Sequence, residues 1–334
     1  MSARESGGLR DPLKGTGVPL PADRRPDAGP VAILPNEPAW LLEAVAAAGG
    51  EVAPLSNATR GLIWVHASDA AGLADVLDAH PGIGWVQLPW AGVDAFEPVL
   101  SAHAADAFPI WTSAKGAYSE PVAEHAVTLA LAGLREIPEK ARRTTWTPRS
   151  GETLFGRRVL ILGAGGIAQE IIRLLQPFHP EITIVRRSPG EVDGAARVVT
   201  VERIDEVLPD AEVVIVAAAS TGETARLFDA RRIGLMNADA VFVNIARGAI
   251  VDTMALAEAL NAGRLKGAGI DVTDPEPLPK DHPLWKAKNI IITPHMSAIS
   301  DLGHAKRELI LREQLRRFAA GDKLLSVVDF KKGY

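Results

Sequence analysis

The sequence predicts an α/β protein made of two units, each a doubly wound parallel sheet with helices on its faces. Three observations carry this. Short apolar segments alternate with alanine-rich helical ones from Val31 onward. The rhythm stops at a long helical stretch beginning at Glu120 and restarts at Arg157. A glycine-rich turn, Gly163-Ala164-Gly165-Gly166-Ile167-Ala168, then joins a strand directly to a helix. A chain of 334 residues has room for two domains of ordinary size.

In the first unit, strands are expected at 31–34, 62–65 and 85–88, with helices at 40–48 and 71–79 between them. The stretch from Glu120 to about Ala141 reads as one helix with an apolar face through Val122, Ala126, Leu129, Ala130 and Leu134, and Pro121 suits its first turn. Residues 144–156, with Pro148, Ser150 and two glycines, read as an excursion. In the second unit, strands are expected at 159–162, 182–185, 213–216, 241–244, 269–272 and 290–293. The segment 301–319 is helical and is expected to return to the first domain. Residues 1–30, rich in Gly, Pro, Arg and Asp, read as a mobile tail.

A net charge of −5 gives no reason to expect nucleic acid or an anionic membrane as partner. The absence of cysteine excludes disulfides and thiolate metal sites, and no metal is expected. No run approaches the roughly 18 apolar residues of a membrane span. The first residues, with Arg4, Glu5, Arg10 and Asp11, have no apolar segment behind them, so a cytoplasmic location is expected.

The glycine turn has the G-x-G-x-x-G/A pattern in its required setting. Gly163 permits the tight turn, Gly165 lets backbone approach a pyrophosphate, and Ala168 allows close helix–sheet packing. The N-terminus of the helix that follows offers N–H groups and a positive dipole end to the anion.

Three later strands end in charged or titratable residues: Arg247, Glu276 (in Asp271-Val272-Thr273-Asp274-Pro275-Glu276) and His295. Open α/β sheets bind ligands beyond the carboxyl ends of their strands. Reducing a 2-keto acid needs a cation to hold the carboxylate and polarise the carbonyl, which Arg247 supplies. It also needs a proton donor for the developing alkoxide, the part of His295, and a carboxylate to orient that ring and favour its protonated form, the part of Glu276.

With these residues in hand, the sequence resembles the D-isomer-specific 2-hydroxyacid dehydrogenase family, of glyoxylate/hydroxypyruvate reductase type. The resemblance also rests on Ala91-Gly92-Val93-Asp94, Thr221-Gly222-Glu223-Thr224, Gly267-Ala268-Gly269-Ile270-Asp271-Val272 and His282-Pro283-Leu284-Trp285. It implies a Rossmann nucleotide-binding domain (residues 120–298) inserted into a flavodoxin-like substrate domain (31–119 with 299–334), and a homodimer with the active site in the cleft. It supports Arg247, Glu276 and His295 as the catalytic set, and implies cofactor contacts at Gly163, Gly165, Gly166, Ile167 and Thr221. It further implies that Asp271 meets the nicotinamide carboxamide and that amides near Ala91 and Gly92 hold the substrate carboxylate. Trp90 is bulkier than the residue often found before that loop, and is expected either to line the pocket or to fill the core beneath it.

In an NAD site an acidic residue after the second strand accepts hydrogen bonds from the ribose hydroxyls. Here that place falls to Arg186, followed by Arg187 and Ser188, and no Asp or Glu lies between Val185 and Gly190. NADP is therefore the expected cofactor, with NAD as the alternative. Glu276 stands where formate dehydrogenases resemble one another in carrying glutamine, and the chain ends too soon after the last helix for the regulatory domain of a phosphoglycerate dehydrogenase. The competing reading is a dehydrogenase-like corepressor that binds the nucleotide without turnover.

Overall fold

The computed structural model describes residues 11–13, 25–49 and 52–330, so most of the expected N-terminal tail lies outside the described residues. The chain divides into two compact units, Met1–Tyr118 with Asp301–Tyr334, and Ser119–Ser300. No helix among the described residues is long and apolar enough to cross a membrane.

The first unit runs β1 (Val31–Leu34), α1 (Ala39–Ala47), β2 (Gly61–Trp64), α2 (Ala70–Ala79), β3 (Trp85–Gln87), α3 (Glu97–Ala102) and β4 (Ile110–Thr112). The strands pair in parallel in the order β1-β2-β3-β4. A parallel bridge from Val31 to Val52 adds a one-residue strand outside β1. Counted with it, the order becomes 2-1-3-4-5, that of a flavodoxin-like sheet. Successive side chains alternate between two buried faces. Val31, Ile33, Ile63 and Ile110 pack on one side, and Ala32, Leu62, Val86 and Trp111 on the other. Residues 25–30 run beside this sheet, with Arg25 Nη1 donating to the Gly321 carbonyl at 2.8 Å.

The second unit contains α4 (Ser119–Leu134), α5 (Ile137–Lys140), β5 (Arg158–Leu162), α6 (Gly166–Leu175), β6 (Glu181–Arg186) and β7 (Arg197–Thr200). It continues with β8 (Val213–Val216), α7 (Ala230–Leu235), β9 (Val241–Asn244), α8 (Thr253–Asn261), β10 (Gly267–Ile270) and β11 (Ile290–Ile292). All seven strands are parallel, in the order β11-β10-β9-β8-β5-β6-β7. The first strand, β5, lies between β6 and β8, so strand order reverses there and opens the crevice in which this fold class binds ligands.

The single helix expected from Glu120 to Ala141 is broken. Pro138 cannot donate to the carbonyl of Leu134 and its ring would clash with it, so α4 stops at Leu134 and Glu136 takes a left-handed φ of 53°. Two strands were not expected. β4 is short, and β7 is an edge strand with one buried residue, Val199, so neither shows a strong apolar pattern. β10 begins two residues earlier than its apolar residues suggest, at Gly267. A Cβ on Gly269 would lie 2.6 Å from Leu129 Cβ, so this strand is glycine-rich because α4 lies directly on it.

The last helix, α9 (Asp301–Ala319), packs Leu311, Leu315 and Phe318 into the core that holds Val31, Ile33 and Trp85, with the Trp85 and Phe318 rings 4.9 Å apart.

Candidate active site

The turn between β5 and α6 lies at the strand-order reversal. Gly163 has a φ of +110°, and a Cβ there would lie 2.5 Å from the Ala217 carbonyl oxygen, so any side chain is excluded twice over. Gly165 is the N-cap of α6, supplies no capping side chain, and has nothing within 4 Å of a built Cβ. With no side chain at 165 to crowd the helix start, the residues fit a dinucleotide pyrophosphate. Ile167 is half-buried and Ala168 is fully buried under the helix. Thr221 lies in the turn after β8, where its N–H donates to Thr224 Oγ1 at 2.8 Å.

Beyond the turn, a groove of about 600 Å³ is lined by Ala164, Arg173, Arg186, Glu191 and Asp193, among others. Arg186 ends β6 and faces this groove. Arg187 is exposed and ion-paired to Glu223 at 3.1 Å, so the two arginines stand differently. Ser188 is exposed and is not among the lining residues. Glu191 and Asp193, just past Gly190, line the same groove as Arg186.

Arg247, Glu276 and His295 follow the carboxyl ends of β9, β10 and β11, three neighbouring strands. His295 Nδ1 lies 2.7 Å from Glu276 Oε1, with both side chains about two-fifths exposed. The other Glu276 oxygen accepts from the Thr273 N–H at 3.3 Å. Arg247 is half-buried, and its carbonyl accepts from the buried Asn244 side chain at 2.9 Å. A Cβ on the next residue, Gly248, would lie 1.9 Å from the Thr273 carbonyl carbon. That close approach presses the loop carrying Arg247 against the loop carrying Glu276.

His295 takes a left-handed φ of 50°, which costs a non-glycine residue energy unless its surroundings enforce it. The enforcing contacts are visible. The His295 N–H donates to the Asp271 carbonyl at 2.8 Å, and the N–H groups of Met296 and Ser297 donate to the Asp271 carboxylate at 3.0 and 2.9 Å. Thr293 Oγ1 donates to the same carboxylate at 2.5 Å, and His125 Nε2 lies 3.0 Å from that hydroxyl. With the Thr293 proton directed to Asp271, His125 must be the donor in its own bond. The Asp271 carboxylate has no exposed surface and is engaged by the turn, so it clamps the backbone of His295.

His125, not singled out in the sequence, shares the α4 face of Leu129 and Gly133, which pack on Gly269 and Val241. The spacing of four along α4 was the available signal. Thr293→Val should keep the fold but free the turn, lowering reductive kcat by about tenfold with little change in coenzyme Kd; steady-state kinetics with coenzyme titration checks this.

In the first unit, Trp90 is 38% exposed, which removes the core-filling alternative, and Ala91 and Gly92 are half-buried after it. The Trp90 carbonyl is fixed by the Ala114 N–H at 3.0 Å. Burial pushes the Tyr118 phenol above its ordinary pKa, opposed by the nearby Arg307 guanidinium. No group of three or more His, Cys, Asp or Glu able to hold a metal exists among the described residues.

Known proteins are similar to this chain. A curated protein from Corynebacterium melassecola, described as an uncharacterized protein in the proB 3′ region, is 32% identical over 77% of this chain and 86% of its own length. The glyoxylate reductase of Pyrococcus furiosus is 34% identical over 60% of this chain, and the match spans 63% of the reductase. A D-isomer specific 2-hydroxyacid dehydrogenase from Xanthobacter autotrophicus Py2, solved with NADPH and MES, superposes with a TM-score of 0.75 at 27% identity, covering 92% of this chain and all of that one. Residues 126–297, just over half of the chain, match the family described as D-isomer specific 2-hydroxyacid dehydrogenase, NAD binding domain, and they include Gly163, Arg247, Glu276 and His295. The chain belongs to the D-isomer specific 2-hydroxyacid dehydrogenase family.

Proposed function

We propose that this protein is a nicotinamide-dependent oxidoreductase that interconverts a small 2-keto acid and its D-2-hydroxy acid, of the glyoxylate/hydroxypyruvate kind. The observation that carries the reading is the 2.7 Å contact between His295 and Glu276 at the carboxyl edge of a dinucleotide-binding sheet. Glu276 takes Nδ1, which leaves Nε2 to face a substrate oxygen. Bound reduced nicotinamide supplies the hydride. His295 gives its Nε2 proton to the oxygen as charge develops on it, and Glu276 orients the ring through Nδ1. Arg247 binds the substrate carboxylate and polarises the carbonyl with its forked donors. In the first unit, the backbone amides of Ala91 and Gly92 are the groups assigned to a substrate carboxylate, with the exposed Trp90 beside them. Turnover of glyoxylate and hydroxypyruvate by the purified protein tests the reading. A nucleotide-sensing corepressor would bind coenzyme and turn over neither, and the named reductase among the relatives favours turnover.

The preferred coenzyme is NADP(H), with Arg186 as the main determinant, since it lines the groove that would take the adenosine end. Arg187 would contribute only by leaving Glu223. A charge-assisted hydrogen bond to the 2′-phosphate contributes about 1.5–3 kcal/mol, reduced by exposure, so one bond gives about a tenfold preference. Arg186→Asp should reverse the ratio of kcat/KM for NADPH over NADH measured at fixed salt. A parent that favours NADH would point instead to Glu191 or Asp193 as ribose partners.

The reading extends to a cytoplasmic homodimer, supported by the absence of cysteine and by Trp146, which is 96% exposed and so is not held by packing within its own chain. Trp146→Ala should weaken the dimer in sedimentation velocity without changing the far-UV circular dichroism.

A further inference from the structure

A carboxylate without exposed surface, such as that of Asp271, is tolerated only where donors replace its water. Three do so: the N–H groups of Met296 and Ser297, and the Thr293 hydroxyl. The two amides belong to the turn that presents His295, and the backbone fixes their direction. The hydroxyl is a rotor with two neighbours, Asp271 Oδ1 at 2.5 Å and His125 Nε2 at 3.0 Å. An N–H on His125 Nε2 removes the choice. It fills a lone pair of the hydroxyl oxygen and leaves the Thr293 proton only the carboxylate to meet. His125 also stands near the charge itself, with Nε2 3.7 Å from Asp271 Oδ1 and a side chain 19% exposed. It comes from α4, whereas its partners follow β10 and β11, and all of them lie within the unit Ser119–Ser300. A chain of hydrogen bonds thus runs from α4 through Thr293 to the buried carboxylate and on to the His295 turn, each bond polarising the next.

We propose that His125 is a positioning residue. By donating to Thr293 it directs that hydroxyl onto Asp271, and so holds residues 293–297 in the turn that presents His295 at its left-handed φ of 50°. The inference rests on the oxidoreductase reading above and extends it to a side chain that acts only through Thr293. A turn that loosens carries the His295 ring away from Glu276 and from the oxygen it protonates, and a reacting group displaced by about 1 Å loses much of its worth. The loss falls on kcat. Ground-state binding of the substrate carboxylate stays with Arg247, whose loop is seated separately by Gly248.

The test reads amide hydrogen exchange over residues 293–299, together with kcat and KM for hydroxypyruvate reduction. It compares the parent, His125→Leu, His125→Gln, Thr293→Val and the double variant His125→Leu with Thr293→Val. His125→Leu should speed exchange of the Met296 and Ser297 amides and lower kcat, each by about 3- to 10-fold, with KM within about twofold. His125→Gln retains an N–H donor and should recover most of both. The double variant should fall no further than Thr293→Val alone, because His125 works through that hydroxyl; independent contributions would multiply. His125→Phe, which keeps a ring and removes both nitrogens, makes the same comparison if His125→Leu does not fold. Parent-like exchange and kcat in the variant without a donor overturn the inference, as does a double variant whose loss is the product of the single losses. A loss shared by kcat and KM that His125→Gln does not recover assigns His125 to packing and overturns it too. A parent that reduces no 2-keto acid overturns the oxidoreductase reading, and the exchange rates then still decide whether His125 holds the turn.

Discussion

His295→Ala and His295→Gln should lower the reductive turnover of this protein by about 10²- to 10⁴-fold, the usual worth of a positioned general acid. The expected loss lies in kcat and kcat/KM alike, because the proton is transferred only as charge develops on the substrate oxygen. Coenzyme binding should hold, since the glycine turn after β5 is built without His295. Glutamine in place of His295 can donate a hydrogen bond but cannot deliver a proton, so it separates polarisation from acid catalysis. Glu276→Gln should show a smaller loss of about tenfold or more, again in kcat, because it replaces the carboxylate that orients the His295 ring while sparing the proton donor. Steady-state kinetics together with coenzyme titration by fluorescence checks all three variants. Near-normal turnover in His295→Gln would remove His295 from the acid's role.

Arg247→Ala should lower kcat/KM by about 10²- to 10³-fold, through both a raised KM and a lowered kcat. The residue is asked to bind the ground-state carboxylate and to stabilise charge on the reacting oxygen, and these losses fall on different parameters. Arg247→Lys should rescue little, since an ammonium cannot serve two acceptors in a fixed fork. Its neighbour Gly248 makes the result readable. The loop is seated by the contact of Gly248 with the Thr273 backbone, so changing the side chain at 247 should leave the loop in place. Full activity in Arg247→Lys would contradict the assignment.

Much of this was legible in the sequence, for a physical reason. Parallel sheets covered on both faces need near-continuous apolar strands, so runs such as Val213–Val216 and Val241–Asn244 stand out by composition. The pairing of Glu276 with His295 was legible because each residue closes a strand, and β10 and β11 are neighbours in the sheet. The break in α4 was also written in the chain, since Pro138 ends the helix at the residue its ring would strike. What escaped depends on tertiary approach. His125 reaches Thr293 only because α4 lies flat on glycine-containing strands, which periodicity alone does not reveal. The part of Asp271 in holding the His295 turn was likewise invisible, because the three donors to its carboxylate come from residues 22 to 26 positions further along. Arg187 looked equivalent to Arg186 in sequence, yet Glu223, from the turn after β8, draws it away.

As a D-2-hydroxyacid dehydrogenase, this protein should transfer a hydride to C2 of a 2-keto acid and set the D configuration there. Reduction of hydroxypyruvate with NADPH deuterated on C4 of the nicotinamide, followed by NMR and chiral analysis of the product, tests it most directly. The expected product is D-glycerate carrying deuterium at C2, formed by the parent and at least about 10²-fold more slowly by His295→Ala. Product of L configuration, or NADPH that binds tightly while no 2-keto acid in the panel is reduced, would contradict it.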